Sequence, residues 1–430
     1  MKHFRSLWVL PLIIAAFFGA CPADTGTGPG SEGTVNPVPV SKISINEGNF
    51  ELAVGNTKTL TTNVQPENAG NKGVTWKSSD EGKATVTANG LVTAIAAGSA
   101  VITATAKDGS GQSASVTVTV KEDNYGYLLA YFKRSNESLY FALSKDGMTF
   151  TAVNSDKPIF TPKTGSKAVR DPFIVKSPDG REYYMVATDL KSGNSNTFDG
   201  TWGGNRTIYT WKSTDLVNWT DETLIDAGDY PSINDAHKMW APEAIWDATA
   251  YNGDGGYMLY WTLDRTPDTA GASGTQTGHI IYAHTKDFKT MTEPQFLYQN
   301  PSGKFTLDAN IIEHEGTFYM YVRGEDTNGL KGVWLVTSDK ITGPYTNEFL
   351  VLGQNYEGPN IFKLFNGNGW ILLVDRIGGP YRYLPMTALK QNYADVPTNN
   401  TVGLNAQHGS VIPISEERYN AVSKGGFTLE

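Results

Sequence analysis

Two patterns of apolar and polar positions divide the chain. Between residues 37 and 121 short Val/Ile/Thr alternations recur, as in Ser41 to Ile45, Lys58 to Val64 and Ser115 to Val120, with turn residues between them. A period of two sends alternate side chains to opposite faces, so these runs predict strands of a small β-sandwich. Trp76 reads as part of its core. From residue 124 the pattern becomes a repeat. Aromatic-rich strands are predicted at Tyr125 to Phe132, Glu182 to Thr188, Gly256 to Leu263, Thr317 to Arg323 and Trp370 to Arg376. Each leads to a later strand marked by a Ser/Thr/Lys-Asp step: Ser144-Lys145-Asp146, Ser213-Thr214-Asp215, Thr285-Lys286-Asp287 and Ser338-Asp339, with a degenerate fifth copy near Met386 to Tyr393. These steps read as turn formers. The copies recur every roughly 50–70 residues, and no long stretch has helical periodicity. The fold class is therefore all-β. A five-bladed β-propeller of four-stranded blades, with a first blade at 124–155, accounts for the repeat and hides the sheet edges. A large β-sandwich with similar hairpins is the alternative.

Composition narrows the partners. The 430 residues include 45 Gly, 21 Pro, 21 Tyr, 18 Phe and 10 Trp, which suits strands and turns. The net charge of -9 argues against nucleic acid or anionic membrane as the main partner and is compatible with a neutral glycan. The single cysteine, Cys21, excludes an intramolecular disulfide.

Residues 1–20 read as a signal peptide: Lys2, His3 and Arg5, an apolar run from Leu7 to Phe18, then small residues. Phe18-Gly19-Ala20-Cys21 resembles a bacterial lipobox. That resemblance implies a lipid on Cys21, residues 21–36 as a flexible linker, and an exported protein on the cell surface or periplasmic face, touching membrane only through the lipid. An ordinary signal peptide is the alternative. Residues 37–121 resemble the bacterial Ig-like group 2 domain, on Gly73 to Asp80, Ala84-Thr85-Val86, Asn89 to Ala94 and Gly98 to Ala104.

Acids recur ahead of the aromatic strands. They stand in Val169-Arg170-Asp171-Pro172-Phe173-Ile174, Met239-Trp240-Ala241-Pro242-Glu243, Thr306-Leu307-Asp308-Ala309-Asn310 and Asn355-Tyr356-Glu357-Gly358-Pro359. In a propeller the first strand of each blade lines the central channel, so equivalent positions converge. Converging carboxylates repel, and shielding from water raises at least one pKa. One ionised and one protonated carboxyl make a base and an acid, as glycoside hydrolysis requires; in an inverting enzyme they lie roughly 6.5–9.5 Å apart.

On these motifs residues 124–430 resemble glycoside hydrolase family 43, inverting five-bladed propellers acting on arabinofuranosides, xylosides and galactosides. The resemblance implies Asp171 as the base that activates water, Glu357 as the acid, and Glu243, in place of the family's usual Asp after Ala-Pro, as the group that tunes and orients the acid. Asp308 reads as structural. Asn310 reads as a sugar contact or as structural, and Trp240 and Phe173 as pocket walls or as core. Arg376 is expected to bind substrate hydroxyls and the acid, and Trp202 to shape the rim from loop 191–206. His408, placed late in the fifth blade, is either a hydrogen-bonding core residue or a ligand to a structural calcium in the channel; the chemistry itself calls for no cofactor. The function expected is that of a monomeric glycosidase on an oligo- or polysaccharide, of α-L-arabinofuranosidase type. A β-xylosidase, galactofuranosidase or galactan-active enzyme is the alternative within the family, and a non-catalytic carbohydrate-binding propeller the alternative outside it.

Overall fold

The computed structural model describes residues 36–122, 124–191, 206–265, 278–353, 355–365, 367 and 369–430. The signal and lipobox residues, Cys21 included, lie outside them. In the first domain, a four-stranded sheet (Phe50–Ala53, Ser113–Lys121, Gly98–Ala106, Val74–Ser78) accompanies a three-stranded and a two-stranded sheet. The alternation of Ser115 to Val120 buries Val116, Val118 and Val120 against Ile102, Val92 and Leu60, with Trp76 packed on this core. The predicted run Lys58 to Val64 is broken: Thr57–Thr59 and Thr62–Gln65 join different sheets on either side of buried Leu60.

The rest of the chain forms five blades, antiparallel except for the short strand Thr428–Leu429, which pairs in parallel with Asn218–Asp226 outside blade 2. Blade 2 runs outward through Arg170–Lys176, Tyr183–Thr188, Thr207–Ser213 and Asn218–Asp226. Blade 3 comprises Lys238–Asp247, Gly256–Asp264, His279–Thr285 and Gln295–Tyr298, and blade 4 Leu307–His314, Thr317–Glu325, Lys331–Ser338 and Thr346–Leu352. Each predicted aromatic strand is the second strand of its blade. It is apolar on both faces because both are covered: five hydrophobic clusters fill the five spaces between neighbouring blades. The Ser/Thr-Asp steps are turns before the outermost strands. Asp146, Asp215 and Asp287 each accept two backbone N–H groups through Oδ1.

Two details differ from expectation. Blade 1 takes its inner strand from far along the chain: Ala406–Ile414 pairs with Gly126–Lys133, outside which lie Ser138–Ser144 and Thr151–Ala152. This closes the ring and places His408 in blade 1, not late in blade 5. Blade 5 has three strands, Tyr356–Lys363, Trp370–Arg376 and Tyr381–Met386. The segment from Met386 to Tyr393 turns with Gln391 Oε1 accepting the N–H and hydroxyl of Thr387, and adds, in place of a fourth strand, a bridge between Tyr393 and Leu352. The helix Glu416–Lys424 follows the closing strand, N-capped by Ser415, whose Oγ accepts the N–H of Arg418.

Candidate active site

All five inner strands break register at the same level. The break leaves Asp171, Ala241, Asp308, Gly358 and His408 at or beside a bulge opposite the second strand. Four of them have φ between 45° and 57°. Glycine adopts this left-handed backbone freely, aspartate tolerates it, and alanine rarely does. A bulge re-aims side chains; here it builds one ring of five equivalent positions around the channel.

The three acids singled out from sequence fall into three different positions. Asp171 is in the bulge. Glu357 stands one step before it, level with Trp240. Glu243 stands two steps after Ala241, level with Phe173, Asn310, Asn360 and Ser410. This last level is the deepest: Glu243 is 3% exposed, against 27% for the Glu357 side chain. The acid that shares the slot of Asp171 is Asp308, which sequence reasoning set aside as structural. The signal that could have found it is its place one step ahead of Ala-Asn-Ile, matching Asp171 ahead of Pro-Phe-Ile.

At the deep level hydrogen bonds link blade 3 to 4, 4 to 5, 5 to 1 and 1 to 2. Asn310 Nδ2 donates to Glu243 Oε2 at 2.7 Å, and Tyr260 donates to the same oxygen at 2.9 Å. Asn310 Oδ1 accepts the N–H of Ile361 at 2.8 Å, Asn360 Oδ1 that of Val411 at 3.0 Å, and Ser410 Oγ that of Ile174 at 3.0 Å. Each side chain therefore ties its blade to the next. Asn310 is engaged at both ends and 2% exposed, which removes it as a sugar contact. Burial pushes the Glu243 carboxyl up to about 8, against the relief from Asn310, His408 and Tyr260. That burial favours its protonated form.

Above it the channel holds Asp171, Asp308, Glu357, Asp375, His408 and Arg323. Asp171 accepts a hydrogen bond from Thr188 Oγ1 at 2.8 Å, and His408 Nδ1 lies 3.3 Å from its other oxygen. Burial opposes its charge, but the His408 and Arg170 cations and the Thr188 hydroxyl prevail and hold it below the usual 3.8. Asp308 accepts the N–H of Gly358 at 3.1 Å, beside Glu357. Burial raises its carboxyl to about 7; Glu357 and Asp171 add to the rise while His408 and Arg323 oppose it.

The arginine at Glu357 is Arg323, its Nε 3.6 Å from Oε2. Arg376, expected there, is exposed and bears instead on Asp395. The two neighbouring residues are split by strand alternation: Asp375 pairs across from Glu357 and is buried, and Arg376 points the other way. Phe173 packs half-buried on the cluster between blades 2 and 3. Trp240 is half-buried at the Glu357 level, with Lys238 Nζ 5.1 Å from its ring. Trp202 lies outside the described residues.

His408 Nδ1 faces Asp171, and burial, which opposes the imidazolium charge, is outweighed by Asp171, Asp308 and Asp375, which raise the imidazole to about 10. Among the described residues no group of three or more His, Cys, Asp or Glu side chains is placed to hold a metal ion.

Residues 123–420 match the family described as "Probable glycosyl hydrolase domain", related to glycoside hydrolase family 43. The chain belongs to this family. Residues 39–122 of this family-43-related chain match the bacterial Ig-like domain, group 2. An α-L-arabinofuranosidase of Bifidobacterium longum subsp. longum is 28% identical over 373 residues, 70% of this chain but 34% of that protein. The family-43-related chain thus spans about a third of the relative's length. A xylan β-1,4-xylosidase from Bacillus halodurans is 14% identical with a TM-score of 0.42, over 68% of this chain and 51% of that one. A Cellvibrio cellulosa α-L-arabinanase is 12% identical with a TM-score of 0.43, over 65% and 94%.

Proposed function

We propose that this chain is an inverting glycosidase acting on α-L-arabinofuranosides in oligo- or polysaccharides. The observation that carries the reading is the differential treatment of carboxyls around one channel. Asp171 is held ionised by His408 and Thr188, whereas Asp308, in the equivalent slot, keeps its proton more readily. An ionised carboxylate is a base. Asp171 takes a proton from water as the water oxygen bonds to the anomeric carbon. The bond from that carbon to the leaving oxygen breaks, and Glu357 delivers a proton to that oxygen. Both carboxyls then exchange protons with solvent. Asp308 is a positioning residue, gripping the Gly358 N–H next to Glu357 and adding charge near it as it ionises. His408 and Arg323 balance the negative charge. The sugar rests on the arabinofuranosidase relative; a β-xyloside or galactofuranoside fits the same acid–base pair. A lipid on Cys21 would hold the enzyme at the cell envelope, with the Ig-like domain as a spacer.

Aryl α-L-arabinofuranoside, β-D-xyloside and β-D-galactofuranoside test the reading. The expected result is turnover of the arabinofuranoside by the wild type and its loss in Asp171→Asn and Glu357→Gln. Sugar binding without turnover of any of the three would make the propeller a carbohydrate-binding module.

A further inference from the structure

The second strands of four blades each present one residue level with the bulge: Thr188 opposite Arg170, Thr262 opposite Trp240, Arg323 opposite Leu307 and Asp375 opposite Glu357. Three of these do the same structural task. Thr188 Oγ1 accepts the N–H of Ala241 at 2.8 Å, Thr262 Oγ1 that of Asp308 at 3.0 Å, and Asp375 Oδ2 that of His408 at 2.8 Å. Each donor is the bulge residue of the next blade. Two blades show that a threonine hydroxyl suffices for this clamp, so Asp375 brings one oxygen more than the clamp uses.

That oxygen, Oδ1, is enclosed and has no hydrogen-bond partner among the described residues. The residue as a whole is 6% exposed. An unsatisfied buried oxygen is destabilising, and native structures keep few of them without a functional reason. Burial raises the Asp375 carboxyl to about 8; His408 relieves this, and Glu357 and Asp171 add to it. Directly opposed residues of an antiparallel pair share a face, so Asp375 and Glu357 point to the same side.

We propose that Asp375 is a substrate contact, its Oδ1 forming a hydrogen bond with one hydroxyl of the sugar held between Asp171 and Glu357. The inference rests on the channel being the sugar site and adds to it a residue that selects hydroxyl pattern. Protonated, the carboxyl donates; ionised, it accepts.

The test uses the full chain, the aryl glycoside that the wild type cleaves, and its singly deoxygenated analogues. Asp375→Thr keeps the clamp, as Thr188 and Thr262 do, and removes the surplus oxygen; Asp375→Asn keeps both positions. On the parent glycoside, kcat/KM of Asp375→Thr is expected to fall about 10- to 100-fold, the loss of one buried hydrogen bond. On the analogue lacking the contacted hydroxyl, wild type and Asp375→Thr should be equal, whereas on the parent glycoside Asp375→Asn should keep part of the activity that Asp375→Thr loses. An equal loss on every analogue, with or without a lower Tm, or no loss at all, overturns the contact while leaving the glycosidase reading intact. Failure of the wild type to cleave any aryl glycoside overturns both.

Discussion

Asp171 in blade 2 and Asp308 in blade 4 occupy the same slot of the same repeat. Both follow the first rung of an inner strand, both have φ near 50°, and both face the channel. Their acidities are driven in opposite directions, and the neighbours differ. Asp171 faces the His408 ring and receives the Thr188 hydroxyl; Asp308 spends an oxygen on a neutral backbone N–H and lies among Glu357 and Asp171. The repeat supplies position, and the three or four side chains that differ between blades supply chemistry. Acid and base roles around a propeller channel are therefore read from partners rather than from place in the repeat.

Removing the ionised member gives the largest effect. Asp171→Asn is expected to lower kcat by about 10²- to 10⁴-fold, the usual range for a general base. Asp308→Asn should cost less, about 10- to 100-fold, through the position of Glu357 and not through lost proton abstraction. Since an amide cannot ionise, the variant should also lose whatever change in rate accompanies Asp308 ionisation near pH 7. Equal losses in the two variants would break the comparison.

His408→Asn sharpens it. Without the imidazolium, burial is no longer outweighed to the same extent, and the Asp171 carboxyl moves up from its depressed value. The acid limb of kcat/KM should shift to higher pH, with activity above that limb reduced several-fold at most. An unmoved acid limb would show that Thr188 and Arg170 alone keep Asp171 ionised.

The smallest effect is on stability. The folded chain keeps the Glu243 proton up to about 8, while the unfolded chain releases it near 4.5. Between these values the folded state binds the extra proton, so the stability contributed by Glu243 falls as pH rises. His408 acts in the same direction between 6.5 and about 10. Wild-type Tm should therefore decline from pH 5 to pH 9, and Glu243→Gln, whose amide oxygen still accepts from Tyr260 and Asn310, should flatten that decline without abolishing turnover.

The propeller was legible in the sequence because its second strands are apolar on both faces, which leaves five aromatic runs in plain view. The acids were harder. Asp171, Glu243 and Glu357 stand in similar Pro- or Gly-containing motifs, but one step of register separates Glu357 from the bulge and two separate Glu243 from it. The expectation that Arg376 meets Glu357 fails for the same reason: in a strand, adjacent residues face opposite ways, and only the pairing partner of Glu357 shows which one faces it. His408 was assigned to the wrong blade because ring closure joins residues nearly three hundred positions apart, a pairing no local pattern reports.

The central claim is that Asp171 removes a proton and Glu357 donates one. It is tested most directly by kcat/KM of the two variants on aryl and alkyl glycosides of graded leaving-group acidity. Glu357→Gln should retain activity toward a dinitrophenyl glycoside, whose oxygen leaves without a proton, and lose it steeply as the leaving group becomes more basic. Asp171→Asn should lose activity to the same degree across the series. The opposite pattern, or a common dependence in both variants, would contradict the assignment.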